Sequence, residues 1–363
     1  MPPPTLIVRS MRHHVSITRP LFSARQTTCL YQRYASTTAY KPLPGKIAPE
    51  TKKAVAHGTK TLGPHKTPAV NPPASTLPPP LDTPVRGPGQ GNIKYVYRIG
   101  KSYISFYKTA LVAVWHNFQA SQAVISRLPP KDLRGKELSL AIAVKAGLLT
   151  RAEYIFIVRS RSDIKKLPLI GLMLVAFGEF TPLIVIFVTG LIPRIVWIPK
   201  QVAHSRTKNA KRREESFRNG TIEDGQPLSE IAKLQGLEGL TPSQILHLSR
   251  ALALHSHYWE KLWREPPQWV ARHKVGVALQ YLAADDYAIN RDGGIEAMSD
   301  DEVIMACEER GMDVLEYDVA TLRKRFESYL DLRIQKDIGV AALALVRPSQ
   351  WDQLEAKQIE EGT

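Results

Sequence analysis

The feature that most limits what this chain can fold into is the run from Leu167 to Ile192, LPLIGLMLVAFGEFTPLIVIFVTGLI, where Glu179 is the single ionisable residue. An apolar stretch longer than about 18 residues can cross a bilayer core of roughly 30 Å as a helix. Core helices of soluble proteins rarely stay apolar on every face for that length, so the pattern predicts a membrane span, with a buried core helix as the alternative. Cations bracket the run, Arg159, Arg161, Lys165 and Lys166 before it and Arg194, Lys200, Arg206, Lys208, Lys211, Arg212 and Arg213 after it. Pro182, near the middle, predicts a kink, and Glu179 lies about one turn before it. A carboxyl in hydrocarbon costs roughly 2.5 kcal/mol or more, which makes Glu179 and Pro182 candidates for a membrane or ion site. The plainer reading is a protonated Glu179, or one bonded to backbone groups that the kink frees.

The formal charge of +15 is spread unevenly. Arg9, Arg12, Arg19, Arg25 and Arg33 all precede the first acidic residue, Glu50, and lie among Ser, Thr and scattered apolar residues. That is the composition of a mitochondrial transit peptide, and Arg33-Tyr34-Ala35-Ser36 resembles a matrix-protease processing site. Only Cys29 and Cys307 are present, too few for a disulfide framework or a cysteine-based zinc site.

In chain order the sequence predicts a presequence over 1–35 and a disordered Pro-rich linker over 36–92. A helical collar over 93–166 and the kinked span over 167–192 follow. A basic juxtamembrane neck covers 193–240, a helical domain 241–335 and a tail 336–363. In the collar, Tyr103, Phe106, Tyr107, Ala110, Leu111, Val114 and Phe118 recur at helical spacing, and Thr150 with Glu153 forms a capping-box pattern after Gly147. In the last domain one helix is expected from Ser243 through Ile245, Leu248, Leu252, Trp259 and Leu262 to Pro266. A second runs from Gln268 to about Tyr287, a third starts at Ser299 with Glu302 as its box partner and stops at Gly311, and a fourth starts near Asp318. The fold class is therefore all-α, a single-span membrane protein with a C-terminal helical domain.

The loop from Ala288 to Ser299 has Asn290, Asp292 and Gly293 at calcium-loop positions. It has Ala288 and Ser299 where the strongest ligands belong, which excludes an EF-hand. His255 and His257 lie two apart on a helix and face different ways. With no nucleophile–base order, metal-ligand spacing or phosphate loop, the sequence predicts no catalytic residue, no metal and no cofactor.

Two blocks resemble a known family. The approach and span, LTRAEYIFIVRSRSDIKKLPLIGLMLVAFGEFTPLIVIFVTGLIPRIV, resemble the membrane segment of the leucine zipper-EF-hand-containing transmembrane proteins through Glu179, Pro182 and Pro193. The stretch from Ala278 to Leu332 is similar to that family's ribosome-binding domain, at Asp285-Asp286, Ile289, Gly294, Met298, Glu302, Ala306-Cys307, Arg310-Gly311, Leu322, Arg323 and Leu330. The resemblance implies a 14-3-3-like helical domain in the matrix of a mitochondrial inner-membrane protein. It also implies association with mitochondrial ribosomes, support of membrane-protein biogenesis and a role in ion homeostasis. The chain reaches Thr363 with no long coiled coil and no EF-hand pattern.

The main functional reading is thus a membrane-held protein that binds the mitochondrial ribosome and inner-membrane lipids. The alternative is a cation/proton exchanger, a homo-oligomer using Glu179, since one helix cannot enclose a path. The helical domain from Thr241 to Asp337 carries more acids than bases, which points to ribosomal protein rather than RNA as its contact. RNA phosphates or lipid head groups would instead meet Lys208, Lys211, Arg212 and Arg213, or Arg323, Lys324 and Arg325. A DNA-binding helix pair over Met298 to Asp331 is opposed by Asp300, Asp301, Glu308 and Glu309, so no DNA partner is expected.

Overall fold

Local sequence signals set most helix limits. α1 (Asn92–Ile125) is followed by α2 (Leu140–Lys145), whose cap Ser139 accepts from the Ile142 N–H. Gly147, at φ 73°, ends that turn, and Thr150 with Glu153 closes both halves of a capping box at the start of α3 (Arg151–Ile164). α4 (Leu167–Phe177) follows after a two-residue turn. Beyond the apolar run come α5 (Pro199–Arg218), α6 (Leu228–Ala232), α7 (Pro242–Ala251) and α8 (Tyr258–Trp263). Next are the long α9 (Gln268–Arg291), then α10 (Asp300–Glu309), α11 (Val319–Ile334) and α12 (Val340–Leu345). This computed structural model describes residues 70–86, 91–130, 138–178, 190, 192–218, 228–263 and 265–353, all within one compact unit that starts at Val55. Among the described residues every regular element is helical, in agreement with the all-α expectation.

Three apolar clusters build the body. The largest gathers α6, α7, α9, α10, α11 and α12 around Ile245, Leu248, Val275, Leu279, Val303, Phe326 and Leu343. The second joins Phe106, Tyr107, Ala110 and Val114 of α1 to Ile170 and Met173 of α4 and to Ile192, Ile195, Val196 and Ile198. The third packs α2 and α3 against Ala284 and Ala288 of α9. Burial of this kind, at about 25 cal/mol per Å² of apolar surface, fuses the collar to the C-terminal domain.

Several expectations are corrected. The 36–92 segment is not all linker, because Val70 is buried in the main core and Asn71 pairs with both the Ala297 carbonyl and the Ser299 N–H. Ser75 and Asn117 exchange two hydrogen bonds, which fixes the next residues on α1. The domain does not end at 335. Val340, Leu343, Leu345 and Trp351 lie in its core, and a Cβ on Gly339 would fall 2.0 Å from the Leu234 carbonyl oxygen. The helix expected from Ser243 to Pro266 breaks after Ala251, where Ala253 takes φ 52° and the Leu254 N–H returns to Ser249 O. Its cap is Thr241, boxed with Gln244, in place of Ser243. Ser299 starts α10 without a side-chain cap bond, and the Glu302 carboxylate, the other half of the expected box, is engaged by Arg159.

The apolar run gives the largest correction. α4 ends at Phe177, with Gly178 at φ 53° as its cap, and Glu179 and Pro182 lie outside the described residues. Among the described residues no helix is long and apolar enough to cross a membrane. Moreover, the two ends of the run meet. The Arg194 N–H donates to Asp163 Oδ1 at 3.2 Å and Lys166 Nζ donates to the Ile192 carbonyl at 3.1 Å. The presequence over 1–35, the linker up to residue 69, positions 219–227 of the neck and the tail from 354 also lie outside the described residues.

Candidate functional site

The interior holds a seam of charge built on two neighbouring acids of α9. Consecutive helical residues point about 100° apart, so Asp285 and Asp286 address different neighbours. Asp285 accepts from Arg151 Nε of α3 and from Arg310 at 2.8 Å each. Asp286 accepts from Arg310 at 2.6 Å, from Arg333 Nε at 3.0 Å and from the Tyr329 hydroxyl. Arg310 also lies over the Phe326 ring, 4.7 Å from its centroid. Glu302 takes both guanidinium nitrogens of Arg159 at 2.6 and 3.1 Å, and Arg151 reaches Glu302 and the Val70 carbonyl. Burial pushes the Asp285 carboxyl up, but Arg151 and Arg310 outweigh it and hold the group below the usual carboxylate range. Burial opposes the charge of Arg310, and Asp286 and Asp285 overcome that, so it stays protonated. Asp285, Asp286, Glu302, Arg151 and Arg310 of this seam are all buried. Its task is to lock α3, α9, α10 and α11 in one register.

The basic candidates divide sharply. Arg212 is only 10% exposed; it grips Glu260 and the His255 carbonyl. Arg213 donates to the Ala251 and Met312 carbonyls, and burial lowers its pKa. Arg323 donates to the Ile295 and Met298 carbonyls and to Asp300, while Arg325 lies 3.6 Å over the Tyr317 ring. These four arginines hold the fold. Lys208 is half-buried, Lys211 is 77% exposed, and Lys324 is exposed on α11 beside exposed Glu327.

A corner that the sequence reading passed over adds to the two lysines of α5. Burial, then Arg212 and Lys261, lower the pKa of Lys208, and burial, then Lys208, Lys261 and Arg212, lower that of His257, whose ring lies 4.1 Å from Tyr258. Lys261 and Tyr258 are exposed on α8. On the first turns of α9, Trp269 is 76% exposed and Arg272, three residues on, shares its face. Apolar and aromatic side chains in water beside cations are the composition of a partner surface. The signal was in the sequence, in Tyr258-Trp259-Glu260-Lys261 and Trp269 to Arg272, but a helical stripe of aromatics reads first as core.

Asp292, the acid of the loop considered above for calcium, accepts from the Arg151 N–H and from Arg291. Cys307 is buried and its thiol is pushed up to about 11 by that burial.

A family model described as "LETM1-like, RBD" matches residues 230–349, about a third of the chain. No curated protein and no solved structure matches the chain. The matched segment coincides with the α6-to-α12 core and carries Asp285, Asp286, Glu302 and Arg310 of the seam. Residues 230–349 of this chain are thus similar to a LETM1-like RBD segment.

Proposed function

We propose that this protein holds mitochondrial ribosomes at the inner membrane from the matrix side, in support of membrane-protein biogenesis. The observation that carries the reading is the LETM1-like domain over 230–349. The surface we assign to the ribosome is that of Lys208, Lys211, Tyr258, Lys261, Trp269 and Arg272, because the candidate arginines Arg212, Arg213, Arg323 and Arg325 are tied up internally. Lysines there would meet RNA phosphates, and Trp269 offers a flat face for a base or an apolar protein contact.

The test is co-sedimentation of the full chain, in detergent micelles, with purified mitochondrial ribosomes over a salt series. The triple variant Lys208→Glu, Lys211→Glu, Lys261→Glu is expected to bind at least about tenfold more weakly at low salt and with a shallower salt slope. Binding equal to the native chain at every salt would sink this assignment. The exchange alternative stands on Glu179 and is read separately, by ion flux in proteoliposomes carrying Glu179→Gln.

A further inference from the structure

The third apolar cluster is sealed on one side only. Ala143 and Val144 of α2 and Ile155 and Ile157 of α3 are buried with Ala284 and Ala288 of α9, whereas Ile125, Leu128, Leu138, Leu140 and Val158 at its edge are half-buried. Between these edge residues and α9 lies a groove of about 1180 Å³, whose α9 wall includes Val277 and Ala278. Val277 is 54% exposed there. The volume exceeds the roughly 300–1,000 Å³ of ordinary ligand pockets, so the groove has room for a long chain.

The course of the two helices gathers charge at one end of this groove. Contacts of Leu149 with Arg291, Arg151 with Asp285 and Tyr154 with Tyr281 advance into α3 as they retreat along α9, so the helices run antiparallel. Two turns beyond Tyr154 stands Arg161, and two turns before Tyr281 stands Lys274 with His273 beside it; all three line the groove. The side chains of Arg161 and His273 are exposed and have no hydrogen-bond or ion-pair partner among the described residues. Lys274 Nζ donates to the Leu254 carbonyl at 3.0 Å and keeps two further donors. Among the described residues that line the groove there is no Asp or Glu.

An aliphatic trough that ends in unpartnered cations is complementary to an anion with an apolar tail. A guanidinium presents a planar fork that matches the two oxygens of a carboxylate. A peptide would bring backbone N–H and C=O groups that an aliphatic floor leaves unsatisfied, whereas an acyl chain brings none. We propose that this groove binds a long-chain fatty acid, its chain along Ile125, Leu128, Leu140, Val158 and Val277 and its carboxylate against Arg161, His273 and Lys274. The inference goes beyond the ribosome reading and does not rest on it, because Arg161 and His273 are not among the residues assigned to the ribosome.

The experiment uses the purified full chain in amphipol and a palmitate analogue with a diazirine near the end of its chain. After irradiation, the labelled residues are located by peptide mass spectrometry. We expect label on the groove, at Ile125 to Leu128 and around Val277, displaced by unlabelled palmitate and poorly by methyl palmitate, which has the same chain and no charge. Label that leaves the groove bare would overturn the site. Equal displacement by the acid and its ester would overturn the contact between the carboxylate and the cations.

Two variants test the two ends of the ligand. Arg161→Glu with His273→Glu changes exposed side chains that hold nothing else, so the core is untouched, and groove labelling should fall about tenfold or more. Val277→Asp puts a carboxylate against the acyl chain at an exposed position and should lower labelling by a similar factor. Native labelling in both variants would overturn the proposal. A series of competitors from decanoate to palmitate should tighten about fourfold for each methylene buried, and a flat series would remove the acyl chain from the groove.

Discussion

Two regions of the protein are rich in the same residue types and do opposite things. Around Asp285 and Asp286, Arg151 and Arg310 are fully enclosed and Arg333 nearly so, and each guanidinium meets a carboxylate. On α5, α8 and α9, Lys211, Lys261, Arg272 and Trp269 stand exposed, with Lys208 half-buried near Lys261. The difference teaches that a basic run in this chain says little about its role until burial is known. Arg212 and Arg213 sit next to Lys211 in sequence, yet they bond inward, and Lys211 does not.

That contrast can be broken from the inside first. Asp285→Ala would leave Arg151 and Arg310 facing each other without their shared acid, and a buried pair broken on one side loses about 3–5 kcal/mol. Thermal or urea unfolding should show it, and a loss under 1 kcal/mol would mean that the seam is not what fastens α3 to the domain. Gly339→Ala comes next, since the new methyl would collide with the Leu234 carbonyl at 2.0 Å. About 3 kcal/mol is expected, read in the same melts.

A third test uses acid. Burial, aided by Arg250 and Arg213, holds His247 at about 4, neutral against the Ser216 hydroxyl. The unfolded chain takes up a proton near 6.5 and the folded chain does not. This contribution is therefore intact at neutral pH and is lost as pH falls from about 6.5 towards 4. Between pH 7 and pH 5 the loss is about 2 kcal/mol, and His247→Gln should flatten that part of the stability profile. An unchanged slope would show that His247 is not the group responsible. The smallest effects sharpen the surface side: Lys211→Ala and Lys324→Ala should each shift stability by less than about 0.5 kcal/mol. Of the two, only Lys211→Ala should weaken ribosome binding.

Much of the fold was legible because its signals are local. The Thr150–Glu153 box, the Gly147 and Gly311 stops and the Asp318 cap all appear where the spacing put them. The break after Ala251 was not legible, because Leu252, Trp259 and Leu262 continue a helical period that the turn at Ala253 interrupts. The residues behind the family resemblance, Asp285, Asp286, Glu302 and Arg310, were readable as a pattern. That they form an interior seam was not, since their partners Arg151 and Arg159 lie more than a hundred positions away.

The sequence by itself determined the helical class, the LETM1-like domain and the presence of an apolar run bracketed by cations. Those properties follow from composition and from spacings of three and four residues, which are the same wherever the chain goes next. Only the tertiary structure decided which cations are free to meet a partner and where the run returns. Both depend on contacts between distant segments, such as Asp163 with Arg194 and Arg151 with Asp285, and no local period encodes a distance between segments that the chain brings together only on folding.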